Sequence, residues 1–393
     1  NTATTDRGFT INGIAGAAVD VANGGTILTF EGNVVGIGAA PMTKEGAGTL
    51  VLAGTNTYSG PTRINGGTLR AGSTQAFGSP SLVTLADVAG ATLDLDGFNN
   101  KIGGLSGGGA AGGTVLLGGA TLTIGGSNAT FNGRISGSGG LVKDNTSTQT
   151  MVGCSNDYTG VTSIIRGTIS VDCLADGGQA SGIGAASADA GNLVLRDSGI
   201  LRYTGGDQAT NRGFTLENSW GYVDVSNAAT TLNFSGIVEG PGHLAKRGSG
   251  TLVLSGANTF AGAVAVEAGT LRAGSSDAFD QGTSYLQMSN VAGALFDLNG
   301  YDASFRYLLD GGATGGNIDL GSGTLTISNG GSYGGAIYAG AITGTGNLVK
   351  NGGSYQRLTG CNSDYTGSTI INAGILEVTC LTDGGLASSM GSS

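Results

Sequence analysis

One short motif returns at a fixed spacing, and that recurrence limits the fold more than any other feature of the chain. Gly48-Thr-Leu-Val-Leu and Gly67-Thr-Leu-Arg-Ala lie 19 residues apart, and Gly250-Thr-Leu-Val-Leu and Gly269-Thr-Leu-Arg-Ala repeat that spacing. Between them sit brief alternating runs such as Thr62-Arg-Ile, Thr92-Leu-Asp-Leu, Thr121-Leu-Thr-Ile and Ala263-Val-Ala-Val, punctuated by Gly, Asn and Ser. Alternation with period two marks strands, and no window shows helical spacing with caps. A period near 20 with several short strands is one coil of a parallel β-helix. The sequence therefore predicts an all-β, right-handed parallel β-helix (a solenoid). About 20 coils stacked at roughly 4.8 Å would make an elongated rod roughly 95 Å long. A string of antiparallel sandwiches is the alternative. It calls for strands of about 5–6 residues with hairpin turns every 8–12 or so, and the 19-residue self-match opposes it.

A longer period contains the short one. The stretch from Lys44 returns from Lys246, and a second version from Leu141-Val-Lys143 returns from Leu348-Val-Lys350. Lys44, Lys143, Lys246 and Lys350 thus open four related half-units. Residues 1–393 read as one β-helical segment with repeat units at about 1–207 and 208–393, each of two half-units. Asp6-Arg-Gly-Phe-Thr matches Asn211-Arg-Gly-Phe-Thr, so the sequence opens inside a unit, and neither end shows a polar cap. The expectation is a segment of a longer protein, because solenoids need capping repeats.

Composition fits an ordered, glycine-cornered chain. Of 393 residues 79 are Gly, and only 11% are charged. Disorder needs high charge and few β-branched residues. Four Pro without a Gly-X-Y period exclude collagen. No apolar run reaches the length of a membrane-spanning helix, so no direct membrane insertion of this segment is expected. A net charge of −10 argues against nucleic acid as a partner.

The four cysteines form two pairs, Cys154 with Cys173 and Cys361 with Cys380, each 19 residues apart. Residues one coil apart lie above one another on adjacent rungs. That puts Cα atoms about 4.8 Å apart, within the disulfide window. Two rung-to-rung disulfides are expected, and with them an oxidising compartment. Two thiolates without a nearby His make a poor zinc site.

The half-units resemble the autotransporter-associated β-strand repeat, which reads roughly Gly-x-Gly-Thr-Leu-x-Leu-x-Gly, Asn-x-Tyr-x-Gly, Thr-x-Ile, Gly-Thr-Leu. The likeness is clear at 46–72 and 248–274 and looser at 140–173 and 347–380. Ala180-Ser-Gly-Ile-Gly-Ala-Ala-Ser looks like a linker of such passengers. The resemblance implies a passenger domain carried to the surface of a Gram-negative bacterium and folded as a right-handed β-helix. An outer-membrane barrel is expected to follow it in the full protein.

Little chemistry is foreshadowed. Ser106 and Ser332 sit in Gly-x-Ser-x-Gly patterns, but such an elbow needs a strand-to-helix turn and a histidine, and His243 is the sole histidine. Gly107, Gly109 and Gly112 fit a dinucleotide pattern, yet a strand, not a helix, follows at Thr114. Asp94 with Asp96, and Asp297 beside Asn299, read as solvated outer-face acids rather than a calcium or glycan-cleaving pair. Tyr58, Tyr158, Phe260 and Tyr365 hold one place in the four half-units and are expected to pack over turns, with stacking on sugars as the alternative. Asn128-Ala-Thr and Asn233-Phe-Ser read as chance glycosylation sequons. No catalytic, cofactor or metal residues are assigned, and no cofactor is expected. The expected role is a structural, adhesive stalk, with low-charge stretches such as 103–140 free for contact. Its partners would be itself, a host or neighbouring cell surface, or a glycan. A filament subunit stacking end to end and a glycan lyase or hydrolase are the alternatives.

Overall fold

The computed structural model describes residues 2–13, 15–78, 81–279, 284–328 and 335–392. Among them there is no α-helix, only a 3-10 turn at Ala190–Asn192. The chain winds as a parallel β-solenoid of about 17 turns. It divides into two compact units, one running up to Ala188 with Asn192–Val194, the other comprising Asp189–Gly191 and Leu195 onward.

In the first unit seven strands stack in parallel: Thr2–Thr5, Ile27–Phe30, Thr49–Leu52, Thr68–Ala71, Thr92–Asp94, Thr114–Leu116 and Arg134–Ser136. In the second unit Gln208–Thr210, Thr231–Phe234, Thr251–Leu254, Thr270–Ala273, Leu295–Asp297, Asn317–Asp319 and Ile342–Thr343 do the same. The repeated Thr-Leu-x-Leu motif is thus one strand per coil. The apolar residue at its centre points inward: Leu50, Leu69, Leu93, Val115 and Ile135 are stacked in register and fully buried. Each contributes about 2 kcal/mol of apolar burial, and the column continues from rung to rung.

The coil is not constant. Thr49 pairs with Thr68 nineteen residues on, but Thr68 pairs with Thr92 and Thr2 with Ile27. The extra residues lie in longer turns between strands that stay three or four residues long in these pairs. That is why about 17 coils, rather than 20, use the chain.

The Gly before Thr68-Leu and before Thr270-Leu is a packing requirement. Gly67 and Gly269 have φ of +58° and +62°, and a Cβ on either would overlap the carbonyl of Gly48 or Gly248 in the coil above. No other residue fits both conditions.

Candidate functional site

The half-unit motif builds a set of clamps across three rungs. Asn56 Oδ1 accepts the Val34 amide (2.7 Å) from the preceding rung, and its Nδ2 donates to the Ala76 carbonyl (2.7 Å) of the next. Asn258 does the same between Val238 and Ala278, and Asn156 between Ile135 and Gly182. Ser363 keeps the first half of the clamp, accepting the Ile342 amide.

Two residues on, Tyr58, Tyr158, Phe260 and Tyr365 are buried. Their hydroxyls, where present, meet Thr62, Thr162 and Thr369 at 2.9, 2.7 and 2.5 Å. Gly184 lies over the Tyr158 ring at positive φ. The segment expected to be a linker is therefore part of the core. Ser181 and Ile183 are buried, Ser181 N donates to Asn156 O, and Ala185 N donates to Tyr158 O.

The four repeat-opening lysines have a role the sequence reading did not assign. Lys44, Lys143, Lys246 and Lys350 are fully buried. Lys246 Nζ donates to the carbonyls of Arg247, Gly248 and Ala268, and Lys44 to those of Glu45, Gly46 and Gly66. The lysine head thus gathers the carbonyls of a turn, and the Glu45 carbonyl accepts the Val21 amide as well. Burial lowers all four, Lys246 to about 7 and Lys143 to about 8. Gln149 and Gln356 were also missed. Gln149 is buried and reaches two coils back, holding both the N–H (3.0 Å) and C=O (2.8 Å) of Leu105. Gln356 holds Leu308 in the same way. The signal for both groups was their recurrence at matching places in the repeats.

The acids differ from the expectation of solvated side chains. Asp94 and Asp297 are buried, each paired with an arginine one rung back, Arg70 (2.8 Å) and Arg272 (2.7 Å). Each also accepts an amide two residues on, from Asp96 and Asn299, whose φ values of 46° and 51° are left-handed. Asp and Asn tolerate that conformation, so the second copy's loss of one carboxylate is a turn substitution.

The structure brings the cysteines together as Cys154–Cys173 and Cys361–Cys380, each with Cα atoms 5.5 Å apart. Ser106 lies within strand Gly104–Gly107, 2.7 Å from Thr84 Oγ1, with no helix after it. Ser332 lies outside the described residues. Gly109 and Gly112 close a turn around the Asp87 carboxylate, and strand Thr114–Leu116 follows. Asn128 and Asn233 bond Thr148 N and Ser255 Oγ. Among the described residues no three His, Cys, Asp or Glu side chains converge as a metal site, and no helix is long and apolar enough to cross a membrane.

His243 belongs to a different cluster, on an outward sheet face of the second unit. Its ring stacks on Trp220 (centroids 4.8 Å apart), and its Nδ1 accepts the Ala263 amide at 2.8 Å. Beside it the Arg247 guanidinium lies 3.7 Å over the Tyr222 ring and pairs with Glu267 at 2.5 Å. Trp220, Tyr222, Ala265, Glu267 and Gln287 line a trough of about 480 Å³. This face was not read from the sequence.

Residues 42–71, 141–171, 244–273 and 348–378 match the family described as passenger-associated-transport-repeat. These ranges hold the lysines, the Asn clamps and the aromatic caps. The chain carries four autotransporter-associated passenger repeats. The chain is 54% identical over 395 aligned residues to the Adhesin BmaC autotransporter of Brucella suis biovar 1. That alignment covers 100% of this chain and spans 11% of the relative's length. No solved structure matches the chain significantly.

Proposed function

We propose that this segment is an adhesive, non-catalytic stretch of a protein exported across the outer membrane and held at the bacterial surface. The observation that carries the reading is similarity, along the whole of this chain, to one stretch of a protein named as an adhesin. The fold supports it. Core columns, clamps, ion pairs and disulfides all run from coil to coil, making a stiff support whose outward sheet faces are free for contact. Ser106 is hydrogen-bonded within a strand, and His243 is engaged by Ala263 and Trp220. Neither is arranged as a nucleophile or base. The test is adhesion of cells displaying the full protein with and without this segment, with the purified segment as competitor. Equal adhesion, and no competition, would overturn the reading. Turnover of a polysaccharide or peptide that disappears in Ser106→Ala would overturn its non-catalytic part.

A further inference from the structure

The trough beside Trp220 is not something the coil requires. In the first unit Val19 pairs with Lys44 as Val223 pairs with Lys246 in the second, so Ala18 holds the place of Tyr222 and Gly16 that of Trp220. Two coils on from Ala18 and Tyr222, Arg63 holds the place of Ala265. The repeat thus folds with small residues where this face carries its aromatic rings. It also folds with a long side chain where this face has its dip. Trp220 is the single tryptophan of the chain, and it is only partly buried.

The groups around the trough are held in advance. His243 uses Nδ1 as an acceptor from Ala263, so its neutral ring carries the proton on Nε2 and can donate outward. Arg247 is fixed between the Tyr222 ring and Glu267, which orients the carboxylate. Gln287 gives one amide hydrogen to Asp310 Oδ2 (2.8 Å), leaving its other amide hydrogen and its oxygen for a ligand. The site therefore combines aromatic rings with a carboxylate and an amide over Ala265, with Ser289 and Val291 completing the lining and the His243 ring beside it against Trp220.

We infer that this face binds a neutral pyranose oligosaccharide, with sugar C–H faces on the Trp220–Tyr222 side and hydroxyls on Glu267, Gln287 and His243. A pyranose offers an apolar face edged by paired donors and acceptors, which is what the lining complements. The open trough suits a chain laid along it rather than a single enclosed ring. The chain's net charge of −10 disfavours sulfated or sialylated glycans. The inference rests on the adhesive reading and names its ligand class.

Trp220 is its own probe. Intrinsic fluorescence of the purified segment should change saturably when titrated with neutral oligomers of galactose, glucose, mannose or N-acetylglucosamine, with calorimetry confirming the affinity. Tyr222→Ala should weaken binding about tenfold, the worth of one stacked ring. Ala265→Arg installs what the first unit carries at the matching rung. It should abolish binding while leaving circular dichroism and Tm unchanged. No saturable change with any of these sugars, or undiminished binding by a folded Ala265→Arg segment, overturns the inference. Response to peptides but not to sugars also overturns it. Loss of sugar binding with intact cell adhesion would defeat this site alone. Intact sugar binding without adhesion would defeat only the adhesive reading.

Discussion

The Tyr158 hydroxyl lies 2.7 Å from Thr162 Oγ1 inside the coil, and where the repeat loses one of these oxygens it loses both. Phe260 takes the place of the tyrosine and Val264 that of the threonine, each buried. Removing either oxygen breaks the bond they share, and without the Tyr158 hydroxyl Thr162 Oγ1 keeps its weaker bond to the Ile183 carbonyl at 3.2 Å. Tyr158→Phe and Thr162→Val should each cost about 1 kcal/mol in urea denaturation, and the double variant less than their sum. Strict additivity would show that the two hydroxyls do not depend on each other.

Lys246 is the second test. Replacing it with Met keeps much of the packing but leaves the carbonyls of Arg247, Gly248 and Ala268 without their donor. The expected loss is about 2–3 kcal/mol. A variant as stable as the parent would show that those carbonyls are satisfied otherwise.

The same lysine sets a pH trend. Burial lowers Lys246 from 10.5 to about 7, so between those values the unfolded chain binds more protons than the folded one. Stability then rises with pH across that window and is reduced below it. Lys143, lowered to about 8, adds in the same direction. Urea midpoints should increase from pH 6 to pH 9 or so, with a shallower increase in Lys246→Met. A falling midpoint, or a slope indifferent to the substitution, contradicts this.

Ion pairs should rank by burial. Asp297, 11% exposed, accepts both Arg272 and the Asn299 amide, while the Arg166–Asp144 pair has its arginine 59% exposed. Asp297→Ala should cost about 3 kcal/mol, because a half-buried arginine and a turn amide lose their partner. Arg166→Ala should cost under about 1 kcal/mol. Equal effects would mean that the turn at Asn299 does not need its acceptor.

Each disulfide spans one coil. Cys154→Ser with Cys173→Ser should remove about 3 kcal/mol in the chain-entropy account. Peptide mapping without reductant should yield only Cys154–Cys173 and Cys361–Cys380. A Cys154–Cys361 peptide would contradict the register.

What the sequence determined by itself was whatever repeats locally. The 19-residue return of Gly-Thr-Leu exposed a coil, since a strand that pairs with the next turn must recur at the coil length. The cysteine spacing followed from the same arithmetic, and the aromatic positions came from aligning half-units. Tertiary structure decided everything that depends on how much chain each turn consumes. Thr68 meets Thr92 rather than the residue nineteen on, and this shift carries Arg70 to Asp94, a pairing with no local mark in the sequence. It likewise takes Gln149 to Leu105, two coils away. The trough at Ala265 needed outward side chains from several rungs, and each looked like an ordinary surface residue alone. A solenoid writes its core in short periodic words, because every coil solves the same burial problem. Its surface sites are composed across coils, where only the stacking register says which residues are neighbours.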